Sequence, residues 1–347
     1  MLVSFQFWLF CAFLGLVLHF TPVVNSHLWL RLLVYYVISM YFKTRFFFKQ
    51  LDPSLRCDDT VALVTGASTG IGVEISKQLT QRGAKVVWSG RSTKKAHRHV
   101  VNLEWTPDCG PRGYVLHLDL AQLTSIRHFV EEVKKRECKL NYLFLNAAYH
   151  GPRTLTKDGF EQNFGVNHLG HMYLTYLLLG LLKESAPSRV IVVSSDLHRF
   201  ARRLRIDDLM YERKCSYSWG GFTAYNHSKL CNILFAKKLA SILKGSGVTV
   251  QACHPGTPVQ SELMRQNFLG SALMSQLFMP PIYHLFCRLP KDGAQTPLYC
   301  ALSKESGSGK YFENLSEVQP SAAAMDMSAA EKLWNISCDL LNISREW

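Results

Sequence analysis

The sequence predicts a single-domain α/β fold, a doubly wound parallel sheet with a membrane-anchor segment in front of it. Three observations lead there. From residue 57 onward, short apolar runs alternate with stretches of helical spacing, the pattern of strands joined through helices into a parallel sheet covered on both faces. A glycine-rich turn directly follows the first of those runs. Residues 1–30 contain no Asp, Glu, Lys or Arg.

The segment 2–24 is almost wholly apolar and long enough to span a bilayer, which takes about 20 residues. A second apolar stretch, 28–42, is broken only by Arg31 and Ser39 and is followed by Lys43, Arg45 and Lys49. The amino-terminal flank has no Lys or Arg, so the positive-inside rule puts the basic side and the large domain in the cytosol; the endoplasmic reticulum or a related membrane is the expected location. Trp29, Tyr35, Tyr36 and Tyr41 suit the interface. One anchor helix with an interfacial helix, a two-helix hairpin and a cleaved signal peptide are the competing readings. The last wants a basic leading region and a short apolar one, and this segment lacks the first and overshoots the second. Residues 1–50 are therefore assigned as membrane anchor and 57–347 as one folded domain, without internal repeat or low-complexity linker.

The chain has 347 residues, a net charge of +13, 48% hydrophobic and 19% charged residues, which excludes a disordered chain. Its length also excludes a disulfide-stapled miniprotein. Residues 1–56 carry +4 of the charge and the rest +9. Nucleic acid is not an expected partner, because no recognised module and no repeated aromatic–basic pattern occurs. Arg199, Arg202, Arg203 and Arg205 read as a solvated loop, with anionic lipid headgroups as the alternative. The ten cysteines are scattered without a C-x-x-C pair or zinc spacing, so reduced thiols and no metal site are expected. His168, His171, His198 and His254 default to helix-face, loop or core positions. Sequons at Asn314, Asn335 and Asn342 matter only in a lumenal domain; glycosylation there would overturn the topology.

Within the domain, strands are expected over 61–65, 84–88, 114–118, 140–145, 190–193 and 248–253, and helices over 71–81, 124–135, 160–182 and 224–243. The first strand runs into Gly66-Ala-Ser-Thr-Gly70-Ile-Gly72. Glycine lets the backbone approach a pyrophosphate, and amides at the start of the next helix face the anion. Gly66, Ser68, Thr69, Gly70, Ile71 and Gly72 are thus candidate cofactor-binding residues of a Rossmann-like turn. After the second strand comes Arg91, then Lys94, Lys95 and Arg98, with no acid until Glu104. An acid here would bind ribose hydroxyls, whereas Arg accommodates a 2′-phosphate, so NADP(H) is favoured, with NAD(H) the alternative. A solvated basic helix face would look the same. Asp119, after the third strand, is placed to reach the adenine or to cap the next helix.

Tyr225 and Lys229 stand four apart, on one face of a helix. A free tyrosine titrates near pH 10, too high for acid/base work near neutrality, and an adjacent ammonium lowers it. Ser194 and Ser195 end a buried strand, and a hydroxyl beside the tyrosine could hold a carbonyl oxygen.

Together these parts resemble the short-chain dehydrogenases/reductases, over roughly residues 58–345. The motifs are Thr65-Gly66-x-x-x-Gly70-x-Gly72, Asn146-Ala-Ala148, Asn167, Ser195 and Tyr225-x-x-x-Lys229, in that order. Within the family the chain is most similar to the retinol dehydrogenases and the oxidoreductase part of the WW-domain oxidoreductase. That rests on Leu155-Thr-Lys-Asp-Gly-Phe160, Phe164-Gly-Val-Asn-His-Leu-Gly-His171, Val192-Val-Ser-Ser195, Tyr225 to Phe235, His254-Pro-Gly256 and Leu333-Trp-Asn-Ile-Ser-Cys338. The resemblance implies that Tyr225 exchanges a proton with the reacting oxygen. Lys229 would lower its pKa and bind the nicotinamide ribose, Ser195 rather than Ser194 would position the carbonyl, and Asn167 would hold a relay water. It adds Asn146, Pro255 and Gly256 to the cofactor-binding residues. Two departures stand out: Ala148 replaces the family's glycine, and Pro258 removes an amide that could bind the cofactor. Residues 257–290, rich in Phe, Leu and Met, would form a lid suited to a lipophilic ligand. The expected activity is hydride transfer between nicotinamide and a lipophilic carbonyl or alcohol, retinoid first and steroid second. A catalytically weak binding or scaffold protein is the rival. The membrane is an expected partner, and a homodimer stays open.

Overall fold

The computed structural model describes residues 49–101, 113–213, 221–256, 288–303 and 307–347. The expected spans at 2–24 and 28–42 lie outside the described residues, as do nearly all of the expected lid and Pro258. Among the described residues no helix is long and apolar enough to cross a membrane.

The strands are β1 (Val61–Thr65), β2 (Lys85–Gly90), β3 (Gly113–His117), β4 (Tyr142–Leu145), β5 (Ser188–Val193), β6 (Val248–His254), β7 (Tyr311–Glu313) and β8 (Ser316–Glu317). They form one sheet in the order β3-β2-β1-β4-β5-β6-β7-β8, parallel except for the closing β7–β8 pair. The sequence reverses direction between β1 and β4, and ligands of such sheets bind in the crevice at the carboxyl ends of the strands there.

Strand side chains alternate between two cores, as the period of two requires. Val61, Leu63, Leu143, Leu145, Val190 and Val192 face one side. Ala62, Val64, Phe144, Ile191 and Val193 face the other. The first face is covered by α3 (Leu123–Arg136), α5 (Gly170–Glu184), α6 (Phe222–Ile242) and α9 (Met327–Leu341). The second is covered by α1 (Gly70–Gln81) and α8 (Gln295–Leu302). Apolar side chains on both faces explain why the strands read as continuous apolar runs. Leu51 and Cys57 are already buried in the second core.

The remaining helices are α2 (Thr93–Val101), α4 (Gln162–Phe164) and α7 (Pro290–Gly293). The expected helix 160–182 differs most from what is found. Phe160 is held in a turn, its N–H donating to the Thr156 hydroxyl (3.0 Å) and its carbonyl accepting from Thr156 N–H (2.7 Å). Glu161 then caps α4 by accepting from the amides of Asn163 and Phe164. The helix continues through a π turn, Gly165–Leu169, before α5. Such turns cluster at functional sites, and this one carries Asn167.

Candidate active site

The turn after β1 has the form a phosphate needs. Gly66 and Gly70 adopt φ of +71° and +61°, where a side chain would be strained. A Cβ on Gly72 would lie 2.3 Å from the Gly66 carbonyl oxygen and 2.6 Å from Asn146 Nδ2. The N-cap of α1, Thr69, makes no side-chain capping bond, so the first amides of this twelve-residue helix are not taken up by their own cap. The turn is tied to β2 by the Ala67 amide, which donates to the Ser89 carbonyl at 2.8 Å. Ser68 Oγ would lie 3.3 Å from a Cβ on Gly90, so Ser68 stands where β2 ends. Ile71 and Gly72 open α1. Glycines without room for a methyl and helix amides without a cap fit a dinucleotide pyrophosphate.

Arg91 is exposed one residue past β2, and Lys94, Lys95 and Arg98 are exposed on α2. Asp119 is partly buried beyond β3. Its Oδ1 accepts from the Ala121 amide (3.1 Å) and its own amide donates to Ser125 Oγ (3.0 Å). Because α3 starts at Leu123 with Gln122 as N-cap, Asp119 shapes the turn and does not cap the helix. Pro255 and Gly256 follow β6; Gly256 has φ +94°, and a Cβ there would meet Arg288 Nη1 at 2.5 Å.

Asn146 serves the turn from behind. Its Nδ2 donates to the Thr65 carbonyl (2.8 Å) and its backbone amide to Thr65 Oγ1 (2.8 Å). The Ala147 amide donates to the same oxygen at 3.0 Å. The close approach falls on Ala147, whose Cα would stand 3.0 Å from a Cβ on Gly66.

The catalytic candidates meet at the carboxyl end of β5. Tyr225 and Lys229 lie one turn apart on α6, and both are buried, with Ser195 and Asn167. Lys229 Nζ stands 5.6 Å from the centre of the Tyr225 ring and donates to the Val193 carbonyl at 3.0 Å. Burial pushes the Tyr225 phenol up, and the hydrogen bond to Ser195 pulls it back only in part. Burial also brings Lys229 down to about 8. The expected lowering of Tyr225 by the ammonium is therefore not the leading influence in this arrangement; desolvation of both groups is. Ser194 Oγ donates to the Lys229 carbonyl at 2.7 Å, which commits it to holding α6 and leaves Ser195 as the hydroxyl beside Tyr225.

Asn167 is a clamp. Its Oδ1 accepts from the Tyr149 amide (2.7 Å), and its Nδ2 donates to the Tyr149 carbonyl (2.9 Å) and to Ser228 Oγ (2.9 Å). Ser228 Oγ in turn donates to the Tyr225 carbonyl at 2.7 Å. The π turn thus fixes both the loop after β4 and the helix that carries Tyr225.

Sequence reasoning missed two histidines that wire this site. His171 Nδ1 faces the Asn167 carbonyl at 3.1 Å, and its Nε2 faces Thr65 Oγ1 at 3.0 Å. A carbonyl only accepts, so Nδ1 carries the proton; neutral Nε2 then shares the Thr65 hydroxyl proton with the Phe144 carbonyl, which lies 3.1 Å from the same oxygen. Burial holds His171 neutral, down to about 3. Thr65 then keeps its lone pairs for the Asn146 and Ala147 amides, and one chain of bonds joins the phosphate turn to the π turn. His198 works likewise: its Nε2 accepts from the Ser321 amide (3.0 Å), so its Nδ1–H donates to the Ser195 carbonyl (2.7 Å). His168 is pinned instead to Ser337 of α9 (2.9 Å), and His254 Nδ1 accepts from the Asp196 amide (3.3 Å). No cluster that could hold a metal occurs among the described residues.

A short chain dehydrogenase family model matches residues 60–203. The chain is 44% identical to retinol dehydrogenase 11 of Mus musculus, over 83% of this chain and 88% of that protein. It is 43% identical to retinol dehydrogenase 12 of Homo sapiens, over 82% and 87%. A crystal structure of an uncharacterised Mycobacterium paratuberculosis protein superposes with a TM-score of 0.67 at 28% identity, covering 86% of this chain and all of that one (100%). On that identity and coverage the chain belongs to the short-chain dehydrogenases, oxidoreductases of alcohol and carbonyl groups.

Proposed function

We propose that the protein is a membrane-anchored, NADP(H)-preferring reductase or dehydrogenase of lipophilic carbonyls and alcohols, with retinoids first and steroids second. The observation that carries it is the convergence of Ser195, Tyr225 and Lys229 at the strand ends beside the glycine turn. The names of its relatives, retinol dehydrogenases, support the retinoid. Gly66, Gly70 and Gly72, with the amides of Ser68, Thr69 and Ile71, would hold the pyrophosphate; Lys229, Asn146, Pro255 and Gly256 would hold the nicotinamide half. Bound there, the nicotinamide supplies or accepts hydride. The chain's own work is protonic: Ser195 positions the substrate oxygen, and the Tyr225 hydroxyl gives it a proton in reduction and takes one in oxidation. Lys229, at about 8, stays largely ammonium at neutral pH and favours the phenolate that is left. Asn167 keeps the helix and the loop after β4 in register.

Exposed Arg91, Lys94, Lys95 and Arg98 at the end of β2 support NADP(H) over NAD(H). The charge-free run 1–30 followed by Lys43, Arg45 and Lys49 supports a membrane anchor within 1–50, with the domain 57–347 facing the cytosol from the endoplasmic reticulum or a related membrane. Ala148 and Pro258, together with a Tyr225 phenol held high by burial, favour as second reading a catalytically weak binding protein. One assay separates the two. Purified full-length protein in detergent is given NADPH or NADH with all-trans-retinal and a panel of steroid ketones. Turnover of retinal, faster with NADPH, is expected; cofactor binding without turnover of any carbonyl supports the second reading.

A further inference from the structure

His150 lies in the loop after β4, next to the Tyr149 backbone that Asn167 clamps on both its N–H and its carbonyl. That clamp sets the imidazole against the catalytic tyrosine: the His150 and Tyr225 ring centres are 4.9 Å apart, tilted by 46°. The Nε2 of His150 is buried and has no hydrogen-bond partner. Burial also disfavours its charged form, so the ring stands neutral. The contact differs from those of the other site histidines. His171 and His198 have both ring nitrogens engaged by the fold. A phenyl or aliphatic group would pack against Tyr225 as well as an imidazole does, without leaving a buried nitrogen unpaired, which is unfavourable.

We propose that His150 is a specificity-determining residue whose Nε2 hydrogen-bonds a second polar group of the substrate, a hydroxyl or carbonyl one or two carbons from the carbon that reacts. The inference rests on Tyr225 being the acid/base of this site, because that places the reacting oxygen beside the ring His150 touches. Neutral imidazole can donate or accept at Nε2 according to tautomer, so either oxygen function can pair with it. Within the lipophilic class, the site then favours α-oxygenated carbonyls over those with a single polar end. A site that hydrogen-bonds a substrate group discriminates against analogues lacking it, since its own polar atom is then left unpaired.

The test compares two chain-matched aldehydes, decanal and 2-hydroxydecanal, with NADPH and the full-length protein in detergent. The wild type is expected to favour the hydroxylated aldehyde by at least about tenfold in kcat/KM. His150→Phe should bring that ratio close to unity, mainly through KM, and His150→Gln, which keeps a hydrogen-bonding group, should retain part of it. A wild-type ratio near unity overturns the proposal without any variant. An unchanged ratio in a His150→Phe protein that melts like the wild type overturns it too. Failure of the wild type to reduce either aldehyde, or retinal, with NADPH or NADH sinks the reductase reading itself and this inference with it.

Discussion

The glycine turn and the shelf of candidate catalytic residues lie at the same end of the sheet, but different physics holds them. The turn at Gly66–Gly72 is a backbone device: its shape follows from positive φ at two glycines and a third position with no room for a Cβ. The shelf around Asn167, Ser195 and Tyr225 is a side-chain device. Its geometry depends on buried hydrogen bonds whose partners are far apart in sequence, such as His171 with Thr65 and His198 with Ser321. A local backbone code tolerates no added atoms. A long-range polar network tolerates volume and fails when a proton or lone pair is lost.

Gly72→Ala should have the largest effect on the turn. Its methyl would collide with the Gly66 carbonyl and Asn146. Overpacking of this kind costs about 1–3 kcal/mol. The variant should melt lower and lose NADPH binding by calorimetry; wild-type binding would show that the turn is not held as described. His171→Leu should act on the shelf. It keeps the volume but removes the imidazole that ties the Asn167 carbonyl to the Thr65 hydroxyl, a loss of about 0.5–1.5 kcal/mol for each hydrogen bond. The account expects a lower kcat, and His171→Gln, which can donate and accept, should recover more of it than Leu does. Equal activity of both variants would reduce His171 to packing. Arg91→Asp should be milder still, shifting preference toward NADH with little change in melting temperature; surviving NADPH preference would refute the charge argument.

A separate effect, spread over the whole domain, is pH-dependent. His168, His171 and His254 are held by burial at about 3, and His227 at about 4. The unfolded chain therefore takes up these protons first. Stability is intact above about pH 6.5 and is lost as pH falls from there toward the folded values, by up to about 1.4 kcal/mol per pH unit for each histidine. Melting curves between pH 7.5 and about 5 should fall steadily, and a flat profile would contradict neutral buried histidines. Reduction should weaken in the other direction, as Lys229 loses its proton near pH 8.

The fold was legible because its signals are local. Apolar runs marked the first six strands, and glycine spacing marked the turn. The expected strand 84–88 runs on to Gly90, and β7 and β8, at three and two residues, are too short to carry a period. The neighbourhood of Tyr225 and Lys229 on one helix was legible from a four-residue spacing. The roles of His171 and His198 were not, because a buried histidine looks the same in sequence whether it fills space or holds a carbonyl; only the partners decide. The Lys229 ammonium is not the leading influence on Tyr225 for a related reason: spacing gives proximity, whereas burial sets the balance of charge.

The most direct test is Tyr225→Phe in single turnover. NADPH affinity is measured first, then the rate at which bound NADPH is consumed by all-trans-retinal. If the Tyr225 hydroxyl is the proton donor of this site, affinity stays within about twofold and the rate falls by about 10²–10⁴. A rate unchanged from wild type would remove Tyr225 from the chemistry and with it the account of the site.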